Sequence, residues 1–326
     1  KQYVPKNPSF LKRIFHIIDF TVGSFFNLLK IKECDLVIAV IPFTTSAALG
    51  WFQKTRFSSK LWIHIQDFEF DAAHHWAGKP RVNFVFSLLF KLESWLFRKS
   101  NIVSTISHSM TVKLSKKSKT PSFYLPNWVD PNKINPETSK PHLYTESDKI
   151  VLLYSGNIGD KQDWQIFIEF CEDIDQDRYE VIIVGEGAKK EWLVEKTARF
   201  SNVKHYPPVL YRDLSDLLCS ADIHLLFQKP EFLDSVMPSK VLGMMASTKP
   251  SFIIGHKDSE INIIFNSIDI GVCFDAYSKE VAEQLYKLTN DTSRMEEMGK
   301  NARSYVLEHF SKEKVLNNVL KKIDLL

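Results

Sequence analysis

The sequence predicts an α/β fold made of two doubly wound parallel sheets, and three observations support this prediction. Short apolar runs of strand length, such as DLVIAVI (35–41) and YEVIIVG (179–185), alternate with helical patterns along most of the chain. Unbroken apolar runs are typical of strands that helices cover on both faces, as in parallel sheets. The length of 326 residues and a change in the sign of the charge along the chain favour two domains over one.

The first strand–helix series predicts an N-terminal domain over residues 1–140. Its strands are predicted at 35–41, 60–65, 101–107 and 122–127, and its helices at 44–56, 82–99 and 108–117. The segment 129–149 is rich in proline, asparagine and serine, and this composition indicates a linker.

The second series predicts a C-terminal domain over residues 141–310. Its strands are predicted at 150–156, 179–185, 203–207, 222–227, 250–255 and 271–275, and its helices at 163–175, 188–200, 211–219 and 239–247. Amphipathic helical stretches occupy the rest of the chain, and we expect the last of them, residues 311–326, to pack back toward the N-terminal domain.

The net charge of +3 hides an asymmetry between the two halves of the chain. Residues 1–130 contain 18 Lys and Arg residues against 8 Asp and Glu residues, a net charge of +10, whereas residues 131–326 contain 24 against 31. A basic first half suits an anionic partner such as lipid headgroups, a lipid-linked pyrophosphate or nucleic acid. Because the basic residues form no recognised nucleic-acid-binding motif, no nucleic-acid partner is expected.

Four cysteines are scattered along the chain without a CxxC pair, so neither a disulfide framework nor a zinc ribbon is expected. They fit small buried apolar residues in a reducing cytoplasm. The sequence contains no window of about 18 apolar residues, and it therefore predicts no membrane-spanning helix.

In doubly wound sheets, ligands bind outside the carboxyl ends of the strands, so the residues that follow each strand are the candidates for a site. After strand 150–156, Gly156 and Gly159 favour a tight turn, and Lys161 lies near the start of the next helix. A lysine beside the N–H groups of a helix N-terminus favours an anion. An ordinary turn with a solvated lysine is the alternative. Gly185 begins a second glycine-containing turn after strand 179–185.

A second candidate for an anion site follows strand 222–227, at Pro238, Ser239 and Lys240. Proline is favoured in the first turn of a helix, and serine is a common cap there. Lys240 adds a full charge to the positive end of the helix dipole, so a diphosphate is a suitable ligand. The alternative is a capped helix with a surface lysine.

The segment HIQDFEFDAAHH (64–75) places many polar side chains directly after strand 60–65, among them Gln66 and Asp67. The spacing of its histidines and carboxylates matches no standard metal motif, so no metal site is expected. The alternation of Glu69 and Asp71 with phenylalanines also fits a half-buried extension of the strand.

Taken together, these segments resemble the family 4 glycosyltransferases with the GT-B fold. The resemblance is carried by HIQDFEFDAA, STISHSM, LPNWVD, LYSGNIGDKQ, IIVGEG, LSDLLCSADIHLLFQ and MPSKVLGMMAS, in this order along the chain. The subgroup that the sequence resembles contains bacterial transferases of colanic acid, capsule and O-antigen synthesis, including fucosyl and N-acetylfucosamine transferases. The resemblance implies two Rossmann-like domains that face a cleft.

The resemblance also assigns roles around a donor diphosphate. Lys161 matches a lysine that binds the diphosphate, and Ser239 and Lys240 match a Pro-Ser-Lys turn beside it. Gly156, Gly159 and Gly185 belong to the donor-binding turns, and Val209 and Leu210 belong to a segment whose backbone meets the nucleobase.

Several positions depart from the family pattern. Asn157 stands where the family has an arginine, and Gly243 stands where it has a glutamate that binds ribose hydroxyls. The paired acidic position falls near Asp234 or Ser235. Gln66 stands where many relatives have a histidine just before the aspartate that Asp67 matches.

The resemblance implies transfer of a sugar from a UDP- or GDP-sugar to a polyprenyl-pyrophosphate-linked saccharide, with retention and without a metal or other cofactor. Asp67, Gln66, Lys161 and Lys240 are the candidate catalytic residues. We expect a cytoplasmic protein, peripheral on the inner face of the cell membrane, with the aromatic-rich stretch 82–100 on the lipid surface. A core helix is the alternative for that stretch.

Two further expectations concern the extent of the chain and its activity. The family's first domain opens with roughly 60–80 residues that have no counterpart here, so the N-terminal domain is expected to be incomplete. A non-catalytic protein that binds nucleotide sugars, and a sugar-nucleotide 2-epimerase, are the alternative functions.

Overall fold

The computed structural model describes residues 10–68, 70, 82–230 and 239–326, and their contacts divide into two compact units. The first unit runs as far as Pro126 and includes Leu320–Leu326. The second unit runs from Asn127 to Val319. Each unit contains one parallel sheet with helices packed against it, as the sequence predicts.

The sheet of the first unit has four parallel strands in the order β1-β2-β3-β4. The strands are β1 (Leu36–Ile41), β2 (Lys60–Ile65), β3 (Ile102–Thr105) and β4 (Ser122–Tyr124). The helices are α1 (Phe10–Leu28), α2 (Thr44–Phe57), α3 (Val82–Lys99) and α4 (His108–Lys117). The Ser107 hydroxyl caps α4 by accepting a hydrogen bond from the Met110 N–H at 3.1 Å, which satisfies one donor of the first turn.

One face of this sheet packs on α2, α3 and α4, and apolar residues fill the space between them. Helix α2 approaches the sheet closely at Gly50, where a Cβ would lie 2.8 Å from Leu61 Cδ1 and 3.1 Å from Ala39 Cβ. The opposite face carries Trp62, His64 and Ser104, which are buried as well. The strand ends of this sheet are therefore held by packing on both faces.

The sheet of the second unit has six parallel strands in the order β10-β9-β8-β5-β6-β7. The strands are β5 (Ile150–Ser155), β6 (Tyr179–Val184), β7 (Val203–Tyr206), β8 (Ile223–Phe227), β9 (Ser251–Ile254) and β10 (Gly271–Phe274). The chain adds β6 and β7 on one side of β5 and then crosses over to add β8 to β10 on the other side. The order therefore reverses between β5 and β8, where open α/β sheets bind ligands at the carboxyl ends of their strands.

The helices of the second unit begin with α5 and end with the long C-terminal pair. They are α5 (Trp164–Asp173), α6 (Lys190–Thr197), α7 (Leu214–Ser220), α8 (Ser239–Ala246), α9 (Glu260–Ser267), α10 (Lys279–Thr289), α11 (Thr292–Phe310) and α12 (Lys312–Ile323). The last residues of α12 are grouped with the first unit, where Lys322 Nζ lies 5.4 Å from the centroid of the Phe123 ring.

The segment predicted as a linker is packed against the second unit. The Asn135 N–H donates to Ser215 Oγ at 3.0 Å, the Lys140 N–H donates to the Asp216 carboxylate at 2.9 Å, and the His142 N–H donates to Ser220 Oγ at 3.1 Å. These bonds tie residues 135–142 to helix α7, so the compact unit begins at Asn127, whereas the predicted boundary lies after residue 140.

In the described part of the chain, no helix is long and apolar enough to cross a membrane. Likewise, the described residues contain no group of three or more histidines, cysteines and carboxylates that could hold a metal ion. All four cysteines are free thiols, of which Cys171 is buried and the others are half-buried.

Candidate functional site

The turn after β5 begins at Gly156, whose φ of 147° is a backbone conformation that side chains disfavour. The Gly156 N–H donates to the Val184 carbonyl at 3.0 Å, which holds the turn beside the end of β6. A Cβ at this position would lie 3.3 Å from Lys240 Cδ and 3.8 Å from Lys240 Nζ. The glycine therefore lets the Lys240 side chain lie across the carboxyl end of β5.

The turns after β5 and β6 also approach each other too closely for a side chain at Gly185. A Cβ built there would lie 1.9 Å from the carbonyl oxygen of Gly156. The Gly185 N–H donates to the Tyr206 carbonyl at 3.1 Å, so the ends of β5, β6 and β7 form one continuous edge. Both predicted glycine positions are thus needed for the backbone to close at this edge.

Lys240 is the second residue of α8, and its ammonium group lies 4.0 Å from the centroid of the Tyr154 ring. The side chain as a whole is half-buried, but Nζ itself is buried and has no hydrogen-bond partner among the described residues. Burial lowers the pKa of Lys240 from 10.5 to about 7. Because a buried cation is costly unless an anion or several acceptors surround it, this site favours an anionic ligand.

A cavity of about 330 Å³ opens beside Lys240. Its lining comprises Trp128, Val129, Asp130, Lys133, Ile134, Ser155, Gly156, Tyr211, Leu214, Leu218, Lys240, Leu242, Gly243 and Met244. The lining is largely apolar and includes the polar side chains of Asp130, Lys133, Ser155 and Lys240. This combination is typical of sites for small molecules, whose volumes are roughly 300–1,000 Å³.

Gly243 lies in the wall of this cavity, where the family pattern has a glutamate. A Cβ at Gly243 would lie 3.3 Å from both Ile134 Cδ1 and Leu218 Cδ1. Among the described residues that line the cavity, Asp130 is the one that carries a carboxylate. The wall at this position is therefore apolar and closely packed, in contrast to a wall that carries a glutamate.

Lys161 lies in the turn between β5 and α5, and its carbonyl accepts a hydrogen bond from the Lys229 N–H at 3.2 Å. Gln162 and Gln228 form an isolated antiparallel bridge next to it, so the turns after β5 and β8 are tied together. Lys161 is not among the described residues that line the cavity. Its role as a second phosphate ligand stays a prediction.

The other predicted donor residues lie at the same edge of the sheet. The Asn157 carbonyl accepts from the Tyr154 hydroxyl at 2.7 Å, and the Gly159 carbonyl accepts from Trp164 Nε1 at 2.8 Å. Val209 and Leu210 follow β7; Leu210 is exposed, and the next residue, Tyr211, lines the cavity. Ser239 begins α8. The binding roles of these residues stay predictions.

The candidate catalytic residues Gln66 and Asp67 follow β2 in the first unit. The Gln66 N–H donates to the Ile41 carbonyl at 2.8 Å, and the Gln66 side-chain amide lies 2.7 Å from His64 Nε2. Several residues discussed from the sequence lie outside the described residues: Glu69, Asp71, His74, His75, Asp234, Ser235 and Pro238.

The sequence patterns did not indicate Tyr154 or Ser104, although Tyr154 contacts Lys240 and Ser104 is linked to Gln66 through His64. Tyr154 lies inside an apolar strand and reads as a core residue until Lys240 is placed over its ring. Ser104 is a hydroxyl within the run NIVSTIS, and this polar residue in a buried strand was the available signal.

Comparisons with known proteins support a glycosyltransferase. A family described as glycosyl transferases group 1 matches residues 136–305. The putative colanic acid biosynthesis glycosyl transferase WcaI of Escherichia coli (strain K12) is 31% identical over 338 residues, which cover 98% of this chain and 82% of that protein.

Solved structures of low sequence identity share the fold. Sucrose-phosphate synthase from Thermosynechococcus elongatus has a TM-score of 0.75 at 13% identity, over 99% of this chain and 81% of that protein. HepE of Anabaena, solved in complex with UDP-glucose, has a TM-score of 0.71 at 13% identity, over 95% of this chain and 82% of that protein. The predicted GT-B fold is confirmed, and the chain belongs to the glycosyl transferases of group 1.

Proposed function

We propose that this glycosyltransferase moves a sugar from a nucleoside diphosphate donor to a polyprenyl-pyrophosphate-linked saccharide in bacterial surface-polysaccharide synthesis. The proposed reaction retains the anomeric configuration and needs no metal ion. The observation that carries the proposal is the buried ammonium group of Lys240, which has no hydrogen-bond partner among the described residues and borders a cavity at the carboxyl end of β5.

The main requirement of the proposed reaction is stabilisation of the negative charge that develops on the leaving group. As the bond between the anomeric carbon and the diphosphate breaks, the sugar becomes oxocarbenium-like and negative charge grows on the diphosphate. Lys240 and the N-terminus of α8 lie together, so a full charge and a helix dipole act on the same region. Lys161 is the proposed second cation. Protein groups thus supply the positive charge that a divalent cation supplies in other enzymes.

Proton transfer in this proposal involves the substrates themselves. The hydroxyl oxygen of the acceptor forms the new bond to the anomeric carbon, and its proton passes to an oxygen of the departing diphosphate. Gln66 and Asp67 orient substrate hydroxyls through hydrogen bonds. With retention, the acceptor approaches from the face that the diphosphate leaves, which keeps the two oxygens close to each other.

Names and complexes of similar proteins support the donor and the pathway. The E. coli protein at 31% identity is named as a putative colanic acid biosynthesis glycosyl transferase, and HepE was solved with UDP and with UDP-glucose. A UDP-sugar is therefore the first donor to test, with GDP-sugars as the second group. The apolar cavity wall around Gly243 favours contacts with a ring face over a carboxylate–ribose contact.

The lipid-linked acceptor is supported by the charge of the first 130 residues and by the exposed face of α3. Leu96 and Phe97 of α3 are buried in the core, whereas Leu88 and Leu92 are exposed. Lys91 lies between these two leucines and is also exposed. We propose that this face meets the headgroup region at the inner surface of the cell membrane, where apolar and basic side chains together favour anionic lipid.

The test begins with calorimetric titration of UDP, GDP and their sugars into the purified protein. Release of UDP or GDP is then measured with a polyprenyl-pyrophosphate-linked acceptor. We expect tight binding of one nucleotide class and release that depends on the acceptor. Lys240→Met should strongly weaken nucleotide binding and lower nucleotide release with it, while the exposed Lys300→Met, also in the second unit, should change neither. Nucleotide affinity equal in Lys240→Met and the unmodified protein would refute the proposed donor site.

A further inference from the structure

Two aromatic side chains line the cavity beside Lys240 without a partner in the described part of the chain. Trp128 is 46% exposed and Tyr211 is 70% exposed, and both border this cavity. Among the described residues, neither ring packs on another ring or meets a cation, and neither polar atom of the two side chains makes a hydrogen bond. The ring faces that border the cavity are therefore open to a ligand.

The backbone next to Trp128 is fixed by pairing with the end of helix α11 and the start of α12. The Val129 N–H donates to the Phe310 carbonyl at 2.9 Å, and the Lys312 N–H donates to the Val129 carbonyl at 2.9 Å. Val129 thereby forms a parallel bridge with Ser311. Because both backbone groups of its neighbour are paired, Trp128 is held at the cavity wall before a ligand binds.

Arg303 of α11 holds the same segment a few residues further along. Its guanidinium donates to the Ile134 carbonyl at 3.0 Å and to the Ala246 carbonyl at 2.5 Å. Ala246 is the last residue of α8, so the positive charge lies at the end of the helix where the dipole favours it. Arg303 thus ties the wall that follows Trp128 to the helix that carries Lys240.

The lining of this cavity combines one cation with apolar and aromatic side chains. Lys240 Nζ is buried and has no hydrogen-bond partner among the described residues, whereas Leu214, Leu218 and Leu242 contribute apolar surface. The volume of about 330 Å³ is sufficient for part of a small molecule. A ligand that suits this lining has an anionic group and a flat ring with weakly polar faces.

Of the parts of a nucleoside diphosphate sugar, the base suits the apolar lining best. The ribose and the transferred sugar carry several hydroxyls, and a hydroxyl that leaves water without a hydrogen-bond partner costs free energy. Near Gly243 the wall consists of methyl groups of Ile134 and Leu218, which offer hydroxyls no partner. The face of a base needs no hydrogen bond and stacks on an aromatic ring.

The carboxylate of Asp130 is the other group in the lining that could attract hydroxyls. It accepts from the Asn132 N–H at 3.0 Å and lies 3.8 Å from Lys312 Nζ. Asp130 therefore already stabilises the turn that follows Trp128. This role agrees with a cavity wall that presents a ring face to the ligand.

We propose that Trp128 forms a base subsite in this cavity, where the nucleobase of the donor stacks on its ring while the donor diphosphate meets Lys240. This inference rests on the proposed function, because it takes the ligand to be a nucleoside diphosphate. Since every base has a ring face, Trp128 adds affinity for a nucleotide over a bare diphosphate and accepts uracil and guanine alike.

The first test compares a nucleotide with a probe that lacks the base. UDP, GDP and inorganic pyrophosphate are titrated calorimetrically, and pyrophosphate is also measured as a competitor of the nucleotide. Trp128→Ala should weaken nucleotide binding by about 5- to 150-fold, the range for removal of an aromatic ring from one base. It should leave pyrophosphate binding unchanged, whereas Lys240→Met should weaken both. An equal loss for both ligands in Trp128→Ala would overturn the base subsite.

Matched variants separate stacking from other effects. Trp128→Phe keeps a flat ring and should retain most of the nucleotide affinity. Tyr286→Leu removes an aromatic side chain of the second unit that is 52% exposed and lies outside the described lining, and it should change the affinity for neither ligand. If Trp128→Ala does not fold, Trp128→Leu replaces it, because leucine keeps apolar volume without a ring face.

Tryptophan fluorescence reports the stacking contact itself. A base that stacks on an indole ring quenches its emission, so saturating UDP or GDP should lower the fluorescence of the unmodified protein. Trp128→Phe still binds the nucleotide, and its fluorescence should no longer change. The same quenching in Trp128→Phe as in the unmodified protein would place the base elsewhere and overturn the proposal.

The outcomes distinguish this inference from the proposed function. If Trp128→Ala binds nucleotides normally while Lys240→Met binds them weakly, the donor site stands and the base subsite is wrong. If Trp128→Ala loses affinity for UDP-glucose but not for UDP, the ring holds the transferred sugar, which also overturns the base subsite. If the unmodified protein binds neither UDP nor GDP, both the base subsite and the proposed function are wrong.

Discussion

The ammonium group of Lys240 lies 4.0 Å from the centroid of the Tyr154 ring, and the ring is buried beneath it at the end of β5. The face of an aromatic ring attracts a cation but offers it no hydrogen-bond acceptor. The three N–H groups of the ammonium can therefore donate hydrogen bonds to a ligand that enters the cavity. The proposed donor site should therefore respond to the charge of the ligand, to pH and to any side chain added at Gly156.

Donor binding should weaken as the pH rises above 7. In the empty site the pKa of Lys240 is about 7, and a bound diphosphate raises it because the charged form is favoured. Binding above pH 7 thus requires proton uptake, and the dissociation constant should rise by up to tenfold per pH unit. Calorimetry from pH 6 to pH 9, in buffers of different ionisation enthalpy, measures both effects. The same slope in Lys240→Met would exclude Lys240 as its origin.

The stability of the ligand-free protein should change with pH in the opposite sense. The folded-state pKa of Lys240 is lowered to about 7, below the unfolded value of 10.5, so the unfolded chain binds more protons between these values. The free energy of unfolding should therefore rise with pH over this window, by at most about 1.4 kcal/mol per unit. Urea unfolding at pH 7 and pH 9 measures the rise, and Lys240→Met should lose this contribution.

Gly156→Ala should lower donor affinity and destabilise the second unit. The new Cβ would lie 3.3 Å from Lys240 Cδ, and the φ of 147° adds backbone strain of about 1–3 kcal/mol. Gly23→Ala is the matched control, because a Cβ there meets nothing within 4 Å and Gly23 lies within helix α1. The control should stabilise the protein by roughly 0.5–1 kcal/mol. Calorimetry and thermal unfolding of both variants make the comparison.

The strands could be predicted from the sequence because buried parallel strands appear there as unbroken apolar runs. It did not predict helix α1, whose sequence FLKRIFHIIDFTVGSFFNL is dense in aromatic and β-branched residues that favour strands and helices alike. Helix α9 was also missed, since EINIIFNS is short and carries two asparagines.

The candidate site was predictable only in part. Gly156 and Lys240 could be identified from the sequence because a glycine directly after a strand indicates a tight turn and a lysine at a helix N-terminus favours an anion. Their contact joins a turn and a helix that are more than 80 positions apart in the sequence, and local sequence patterns do not record such a contact. The link from Ser104 to His64 depends on strand register, which becomes known when β2 and β3 are paired.

Breaking the ion pair between the half-buried Lys117 and the buried Glu93 should be costly. Glu93 is fully buried, and its Oε2 accepts from Lys117 Nζ at 2.7 Å. Lys117→Met would leave a buried carboxylate without this partner, at a cost of about 3–5 kcal/mol in the free energy of unfolding. The double variant Lys117→Met/Glu93→Gln should recover much of this loss. Urea unfolding measures both, and a single variant as stable as the unmodified protein would contradict the expected coupling.

Chelation should leave transfer intact. In the proposed reaction the charge on the departing diphosphate is met by Lys240 and the N-terminus of α8, so no step depends on a divalent cation. Nucleotide release is measured with EDTA and after restoration with excess Mg²⁺. A transfer rate that is lost with EDTA and restored by Mg²⁺ would contradict the metal-independent mechanism. The nucleotide site would then be tested separately, by measuring nucleotide binding.

Lys161→Ala should weaken donor binding by about 1–3 kcal/mol, the range for hydrogen bonds to charged groups. The turn that carries Lys161 is tied to the turn after β8 by the bond from the Lys229 N–H at 3.2 Å, so truncation of the side chain should leave the backbone in place. If both lysines meet the same diphosphate, the loss in Lys161→Ala/Lys240→Met should fall short of the sum of the single losses, because each lysine stabilises the same bound anion. Calorimetry of the four proteins decides this point. Unchanged affinity in Lys161→Ala would remove this residue from the donor site and leave Lys240 as its cation.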